Sequence, residues 1–308
     1  MTHPGGRAKM ASLKTDTRGE MSVKPILGVI GGSGLYEMEG LEGVERLEIE
    51  TPFGKPSSAV VVGNLEKQPV AFIARHGLGH VLTPSEVNYR ANIYAFKMLG
   101  VERLVAISAC GSLREDFAPG EIVIPDQLFD NTHLRARSFF GEGLVAHVSV
   151  ADPFCPDLST KLGESVASSG GTVHQGGAFI TIEGPRFSTR AESNTYRSWG
   201  MSIIGMTTSP EAFLAREAEL CYAVMGHVTD YDVWHVTQEP VTVEMVIRVL
   251  QENTRLAQEA IKDLVHRLSG PRECECGEAL ESALITRPEL VPDETRRKRS
   301  ILVDRRLG

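Results

Sequence analysis

The sequence has few of the features that mark membrane or secreted proteins. It contains no apolar run of about 18 residues or more, so we expect neither a membrane-spanning helix nor a membrane partner. Residues 1–23 lack the apolar core of a signal peptide and are expected to form a disordered leader. The five cysteines are odd in number and mostly scattered, which does not suit a secreted disulfide framework. A cytoplasmic location is therefore expected.

The chain also lacks a net positive charge and the common catalytic motifs. The net charge of −8 argues against general nucleic-acid binding, although a few local cations can still hold a small anion. The chain has no P-loop, no GxSxG motif and no HExxH motif. Its segment "GGSGLYE" departs from the dinucleotide-binding pattern, because Glu37 replaces the third glycine. These absences exclude the function classes that depend on those motifs.

Apolar segments that look like strands alternate with helical patterns along most of the chain. The composition, 42% hydrophobic and 23% charged, is typical of a soluble globular protein. We predict strands in "KPILGVIG", "SSAVVVG", "PVAFIARHG", "VERLVAISACGS", "GEIVIPDQLFD", "GAFITIEGPRF" and "LCYAVMGHVTD". Helices are predicted from Thr83 or Ser85 to just before Gly100, after an N-cap at Ser209, and from Thr242 to Leu268. The fold class is therefore α/β, a single domain over 24–268 with a mixed central β-sheet flanked by helices.

Residues 269–308 differ in character and form a C-terminal extension of unknown role. Polar and charged residues dominate there, and "RRKR" at 296–299 is predicted to be a solvated basic cluster. Cys274 and Cys276 have the spacing of half a metal site, but no second pair with ligand spacing follows them. A disulfide and free exposed thiols are the remaining alternatives.

Four predicted strands end in turns that are rich in small, hydroxyl or cationic residues. The turns are "GGSG" with Ser33, "ARHG" with Arg75 and His76, "SACGS" with Ser108 and Ala109, and "MTTSPE" with Thr207. Backbone N–H groups, hydroxyls and an Arg fork all favour a phosphate, and ligands in such sheets bind beyond the carboxyl ends of strands. Taken singly, each turn also fits a bland alternative: a tight turn, a surface ion pair or a helix cap.

The segment "HVTDYDVW" raises a separate question. The apolar run that precedes it leads directly into Asp230 and Asp232. Buried charge is costly unless it is paired or used. A structural ion pair, a helix N-cap and a catalytic pair of acids all fit this pattern.

Together these stretches closely resemble one known family. The motifs "GVIGGSGLYEMEGLE", "ARHGLGH", "SACGSL", "EGPRFSTRAES", "MTTSPEAFLAREAE" and "TDYDVW" are similar to the methylthioadenosine phosphorylase branch of the trimeric purine nucleoside phosphorylases. The resemblance covers about residues 26–268. It implies a nucleoside-phosphorylase-like fold, a homotrimer, no metal, and no cofactor other than inorganic phosphate as a co-substrate.

The resemblance also implies roles for individual residues. It assigns phosphate binding to Ser33, Arg75, His76, Ser108, the Ala109 backbone and Thr207. It assigns nucleoside binding to Phe187, Ser188, Met206, Asp230, Asp232, Val243, Val246, Ile247 and, from the neighbouring subunit, His147. Asp230 would share a proton with N7 of the purine as the general acid, and Asp232 would accept from the exocyclic amine. Two acids close together are expected to push one pKa upward.

The resemblance further implies an adenine substrate with an apolar 5′ group. The 6-oxopurine branch typically has Glu where this chain has Ser188, and a His that meets the 5′-hydroxyl where this chain has Val243. The expected activity is the phosphorolysis of S-methyl-5′-thioadenosine to adenine and 5-methylthioribose 1-phosphate, a pentosyltransferase reaction of purine and methionine salvage.

Three alternatives stay open at this point. They are a phosphorylase of broader purine specificity, acting on adenosine, inosine or methylthioinosine, a metal-dependent nucleoside hydrolase, and a non-catalytic nucleoside-binding protein. The hydrolase would need an acidic cluster after the first strand, and "GVIGGSG" has none. Val243, Val246 and Ile247 also fit ordinary helix core at helical spacing.

Overall fold

The computed structural model describes residues 24–235 and 243–307, without the side chains of Ser33, Tyr36 and residues 243–253. The leader expected over 1–23 lies outside the described residues. Within the described ranges, no helix combines the length and the apolar character that a membrane crossing requires.

The strands of the sheet are short, and most consist of apolar residues. Their bounds are β1 Leu27–Gly31, β2 Leu41–Leu47, β3 Val60–Leu65, β4 Gln68–Ala74, β5 Arg103–Ser112, β6 Ile122–Ile124, β7 Gln127–Asn131, β8 Val173–Gln175, β9 Ala178–Ile182, β10 Ile203–Gly205 and β11 Cys221–Asp230. All residues of β1 and β11 are buried. Continuous apolar runs of this kind are typical of strands covered on both faces.

The strands form one mixed sheet that branches at β5. One path runs β2-β3-β4-β1-β5-β10-β9-β7, while β11 pairs with β5 and carries β6 and then β8. Strands β4, β1, β5 and β11 are parallel to their neighbours in that group, so their carboxyl ends lie at one edge. β10 runs antiparallel to β5. This topology confirms the predicted α/β class with a mixed central sheet.

Helices cover both faces of the sheet. Their bounds are α1 Tyr89–Met98, α2 Pro156–Ser168, α3 Arg190–Ser198, α4 Thr208–Glu217, α5 Val243–Arg267, α6 Asp293–Lys298 and α7 Ser300–Leu307. Two large apolar clusters form the core, one containing residues of α1 and α4 and the other residues of α2 and α5. The long α5 agrees with the helix predicted up to Leu268.

One predicted helix start is wrong, and a second agrees with the backbone conformation. α1 begins at Tyr89 rather than near Thr83, because Thr83 and Glu86 bond to each other in a turn of their own. Asn88 is the N-cap, and its side chain accepts from the Ala91 N–H. The N-cap predicted at Ser209 agrees with its extended backbone (φ −99°, ψ 136°), which divides α4 just before Pro210, although the Ser209 hydroxyl has no hydrogen-bond partner among the described residues.

The C-terminal extension packs into the domain, and the prediction of a fully solvated basic cluster is wrong for Arg299. That side chain is 2% exposed, and its Nε donates to the Phe139 carbonyl at 2.5 Å. Leu302 and Val303 of α7 belong to the same core cluster as α1. α7 therefore needs the rest of the domain to bury its apolar face.

The cysteine pair of the extension also departs from expectation. Cys276 is buried and Cys274 is half-buried, so neither is an exposed thiol. Cys274 Sγ lies 3.3 Å from the sulfur of Cys221 at the start of β11. No second pair with ligand spacing follows these two residues in the sequence, but the fold brings Cys155 and Cys221, from earlier in the chain, to them.

Candidate active site

Strand register brings the phosphate-type turns together at one edge of the sheet. Gly31 of β1 pairs with Ala74 of β4, so the turn "GGSG" and Arg75 leave the sheet side by side. The Arg75 N–H donates to the Gly31 carbonyl at 2.9 Å, which fixes the two turns against each other. Ile30 pairs with Ala106, which places Ser108 on the next strand just beyond them.

The fourth turn reaches the same place from the opposite direction. Ile204 pairs with Gly111 in the antiparallel β10–β5 ladder, so continuing the register carries Thr207 towards Ser108. A β-carbon at Gly205 would lie 3.4 Å from the Ala109 carbonyl, which supports this approach. Ser108 and Thr207 are each 6% exposed, and among the described residues the Ser108 hydroxyl has no hydrogen-bond partner. Buried hydroxyls without partners are suited to a bound anion.

Arg75 does not present its guanidinium fork to the site. The fork binds Glu211 instead, with Nε–Oε2 at 2.9 Å and Nη2–Oε1 at 3.0 Å. Nη1 donates to the Ile107 carbonyl and Nη2 to the Ile30 carbonyl. Arg has five N–H donors, so one N–H of Nη1 remains for a ligand. The expectation of a bidentate Arg75–phosphate contact is thus wrong in geometry.

His76 has its tautomer fixed by the backbone. Its Nδ1 lies 2.9 Å from the Leu82 carbonyl, which can only accept, so Nδ1 carries the proton. Burial, followed by the charge of Arg75, lowers the pKa of His76 to about 4. The ring is therefore neutral near pH 7 and Nε2 is an acceptor. His76, which the resemblance assigns to phosphate binding, would therefore accept a hydrogen bond from that ligand rather than donate one.

Within the turn "GGSG", Gly32 provides open space, whereas a β-carbon at Gly31 would clash with Leu35 Cδ1. Gly32 has an ordinary extended φ of −71°, and a β-carbon there would meet nothing within 4 Å. A short 3-10 turn, Ser33–Tyr36, follows directly. The described part of Ser33 is its backbone, so its hydroxyl lies outside what the structure describes.

The two acids at the end of β11 are organised by their own backbone. The Asp232 N–H donates to Asp230 Oδ1 at 2.7 Å, and the Thr229 hydroxyl donates to Asp230 Oδ2 at 2.6 Å. The first bond is an Asx-type turn. It accompanies a left-handed φ of 49° at Asp232, which Asp tolerates better than most residues. The Asp230 carboxylate is thus fixed at the carboxyl end of the strand, whereas Asp232 Oδ2 has no hydrogen-bond partner among the described residues.

Both acids have a raised pKa, and burial is the main cause in each case. Asp230 is 6% exposed, and desolvation raises its pKa, with a smaller contribution from the charge of Asp232. Desolvation also raises the pKa of Asp232. The expectation that mutual repulsion pushes one pKa upward is therefore only part of the explanation.

Three residues that the sequence analysis did not single out help to shape this site. Glu211 holds Arg75, as described above. A β-carbon at Gly111 would lie 3.0 Å from Asp230 Oδ1 and 3.2 Å from Asp232 Cβ, so only glycine lets β5 approach the acids. A bulge in β11 between Val228 and Asp230 accompanies this contact.

Arg135 is the third of these residues and joins two loops of the site. It is 7% exposed, and its Nη1 donates to the carbonyls of Met206 at 2.6 Å and Ser209 at 2.7 Å. Its Nη2 donates to the Glu183 carbonyl at 2.7 Å. A buried arginine in the polar segment "HLRARS" carries no local sequence signal. The structural role of Arg135 is indicated only by its burial in the fold, since a charged side chain is rarely buried without partners.

The remaining expected site residues are placed as follows. Met206 is half-buried beside Gly184, with its Sδ 2.6 Å from where a β-carbon of that glycine would lie. Phe187 is 40% exposed, while Ser188 is buried and its hydroxyl has no partner among the described residues. His147 is exposed and its N–H donates to the Ala283 carbonyl. The side chains of Val243, Val246 and Ile247, at the start of α5, lie outside the described residues.

The fold and the site define a class of enzyme. Residues 26–266 match the family model of the phosphorylase superfamily, and the chain belongs to that superfamily. Its relatives within the superfamily include the S-methyl-5′-thioadenosine phosphorylase of Geobacter sulfurreducens, 51% identical over 91% of this chain and 99% of that protein. A match of that extent cannot end before residue 268, so part of the C-terminal extension is shared.

Solved structures give the same result. A methylthioadenosine phosphorylase from an Antarctic soil metagenomic library has a TM-score of 0.88 and 46% identity, covering 91% of this chain and 99% of its own. The methylthioadenosine phosphorylase of Schistosoma mansoni, solved with adenine, has a TM-score of 0.79 and 36% identity, covering 84% and 97%. The resemblance drawn from the motifs is confirmed.

Proposed function

We propose that this protein is a pentosyltransferase that cleaves S-methyl-5′-thioadenosine with inorganic phosphate, giving adenine and 5-methylthioribose 1-phosphate. One observation carries the proposal. Four strand-end turns with hydroxyls, a cation and an imidazole meet at the edge of the sheet where β11 ends in the buried Asp230, followed by the half-buried Asp232. Relatives that are about half identical carry the name of this activity.

The phosphate side of the site has donors and one acceptor. Ser108, Thr207, Ser33 and the Ala109 N–H are the proposed hydroxyl and amide contacts, and Arg75 adds its remaining N–H and its positive charge. The neutral Nε2 of His76 accepts, so a phosphate that carries one proton donates to it. The site therefore orients phosphate by its protonation state as well as by its charge.

The base side of the site requires a group that can hold a proton. Burial raises the pKa of Asp230 and so favours its protonated form, which can share the proton with N7 as the glycosidic bond breaks. Asp232 accepts from the exocyclic amine of adenine. Phe187 and Ser188 border the base, and Met206 offers its main-chain N–H to the ribose.

The reaction then proceeds by a dissociative route. The C1′–N9 bond stretches first and the sugar gains positive charge. Phosphate below the ring stabilises that charge and captures C1′, while Asp230 stabilises the departing base. Fixed dipoles and positioning supply most of the rate enhancement in such a site.

The 5′ side of the pocket is proposed to be apolar and shared between subunits. Val243, Val246 and Ile247 form the wall for the methylthio group, and His147 closes the pocket of the neighbouring subunit in a homotrimer. The exposed position of His147 on its own chain leaves it available for such a contact. No resident cofactor takes part in the proposed reaction, and the proposed location is the cytoplasm.

The decisive experiment is a substrate panel with and without phosphate. We expect adenine release from methylthioadenosine to require phosphate, and to exceed turnover of adenosine and inosine. Turnover without phosphate would identify a hydrolase, and binding without turnover would identify a nucleoside-binding protein. A preference for inosine would move the assignment to a phosphorylase of shifted specificity. Sedimentation of the same preparation checks the trimer.

A further inference from the structure

Four of the five cysteines meet at one point, far from the acids. They come from three separated segments: the N-cap of α2, the first residue of β11, and the 3-10 turn of the C-terminal extension. The four-cysteine cluster consists of Cys155, Cys221, Cys274 and Cys276, and its sulfur atoms all lie within 4.8 Å of one another. A tetrahedral ion with bonds of about 2.3 Å separates its thiolates by about 3.8 Å. The cluster thus has the size of a single four-thiolate metal site.

We propose that the four-cysteine cluster binds one structural zinc ion. Soft thiolate ligands in a tetrahedral set favour Zn²⁺ over the harder divalent cations. Four protein ligands leave no open position for a substrate or water, which is the arrangement of structural rather than catalytic zinc. Three of the sulfurs belong to buried residues, so a bound ion would be shielded from solvent.

The surroundings of the cluster suit its charge. Four thiolates around Zn²⁺ carry a net charge of −2, and two arginines lie against them. Arg216 Nη1 donates to Cys276 Sγ at 3.5 Å, and Arg272 lies close enough to the Cys221 sulfur to interact with it directly. The Leu158 N–H points at Cys155 Sγ, also at 3.5 Å. Donors of this kind orient and stabilise thiolate ligands from outside the first coordination sphere.

The position of the cluster indicates what the ion would do. It joins the C-terminal extension to the start of β11, and Asp230 lies at the other end of the same strand. At about 3.3 Å per residue, the two ends are roughly 30 Å apart. The ion would therefore stabilise the packing of the extension and take no part in the reaction. This role goes beyond the proposed phosphorolysis and does not depend on it.

Metal analysis of the full-length protein tests the proposal. The protein is made in zinc-supplemented medium and purified without chelators, and its metals are measured by mass spectrometry. We expect about one zinc per chain, less than a tenth of that in Cys276→Ser, and an unchanged content in Cys110→Ser, which alters the fifth, buried cysteine outside the cluster. A mercurial thiol reagent should release the zinc from the unaltered protein, which covers the case in which Cys276→Ser fails to fold.

Cobalt and thermal unfolding provide two further readouts. Co²⁺ added to zinc-depleted protein should give the intense thiolate-to-cobalt absorption of a four-thiolate tetrahedral site, and removal of zinc should lower the melting temperature. A metal-free chain with four free thiols overturns the proposal. A protein mass that is lower by the hydrogens lost in disulfide formation also overturns it. Bound iron in place of zinc, or full zinc content in a folded Cys276→Ser variant, does the same.

Discussion

Strand β11 has a polar cluster at each end, and the two clusters differ in how they are encoded. At the carboxyl end, Asp230 and Asp232 lie two residues apart, and a local Asx-type turn holds them together. At the amino end, Cys221 meets Cys274, which is 53 residues later in the chain. The pair of acids is therefore formed within one short segment of the sequence, whereas the cysteines come together only in the folded domain. Under the proposed roles, substitutions at the carboxyl end of β11 are expected to change activity and to leave the zinc content unchanged.

The largest effect is expected from Glu211→Gln. This change leaves the buried Arg75 cation without its partner, and breaking a buried pair from one side costs about 3–5 kcal/mol of unfolding free energy. We also expect the KM for phosphate to rise at least tenfold, because Arg75 loses its orientation. Chemical unfolding and phosphate kinetics are the measurements.

Glu217→Gln, on the same helix, is the matched control. Burial raises the pKa of Glu217 to about 7, and its partners are the Ser138 hydroxyl and the Phe139 N–H rather than an arginine. A neutral Gln there should cost less than about 1 kcal/mol, the net worth of a typical hydrogen bond. If the two variants lost equal amounts of unfolding free energy, the Arg75–Glu211 ion pair would contribute no more to stability than the hydrogen bonds of Glu217.

Asp230→Asn should lower kcat/KM for methylthioadenosine by about 10²-fold, the usual consequence of losing a general acid. Inosine should lose less, because an amide suits a 6-oxopurine better. Thr229→Val is the control, since it removes one hydrogen bond to Asp230 Oδ2 and keeps the carboxyl. An unchanged preference between the two nucleosides would remove Asp230 from base recognition, and altered zinc content would link the two ends of β11.

Val243→His should weaken methylthioadenosine binding by roughly 1–3 kcal/mol, because a polar ring would replace part of the proposed apolar wall. Adenosine, with its 5′-hydroxyl, should gain relative to methylthioadenosine. The ratio of kcat/KM for the two substrates is the measurement, and Val243→Leu, which keeps the wall apolar, is the control. A ratio that does not move would make Val243 ordinary helix core.

The smallest effect concerns His227, which lies on β11 between the two ends. It is 1% exposed, neither ring nitrogen has a partner among the described residues, and burial lowers its pKa to about 4. Below about pH 6.5, His227 is protonated in the unfolded chain but stays neutral in the folded chain. The free energy of unfolding therefore decreases as the pH falls through this range. Between pH 7 and pH 6 this loss is about 0.7 kcal/mol.

Replacing His227 with leucine should remove that part of the pH dependence and no other. Unfolding free energies of the two proteins at pH 7 and pH 6 give the difference directly, because all other titrating groups are shared. Parallel pH profiles would show that His227 keeps a partner or takes up its proton in the folded state. Zinc content serves as a check that the start of β11 is intact.

Local patterns in the sequence were sufficient for most of the sheet. Strands such as β1 and β11 are continuous apolar runs, and α5 has a clear helical period, so their predicted positions agree with the structure. The predicted start of α1 failed because the bond between Thr83 and Glu86 mimics a helix start without continuing as one. Turn chemistry of that kind competes with helix capping over the same residue types.

Candidate residues for the site could be selected from the sequence, but their contacts could not. Arg75 and His76 were identified from the turn that carries them. Glu211, which binds the guanidinium of Arg75, comes from a distant part of the chain. Leu82, whose carbonyl fixes the proton on the His76 ring, is brought there by a local loop. Hydrogen-bond partners decide whether a side chain donates or accepts, and residue type alone does not.

The α/β class, the family and the two acids at and just beyond the end of β11 could be read from the sequence, because each depends on residues that are neighbours in the chain. Tertiary structure alone decided that Gly111 leaves room for those acids, that Arg135 joins two loops, and that four cysteines meet at the opposite end of the strand. These contacts join segments far apart in sequence. The packing of the helices on the sheet sets the distances between these residues, and a local sequence pattern does not indicate them.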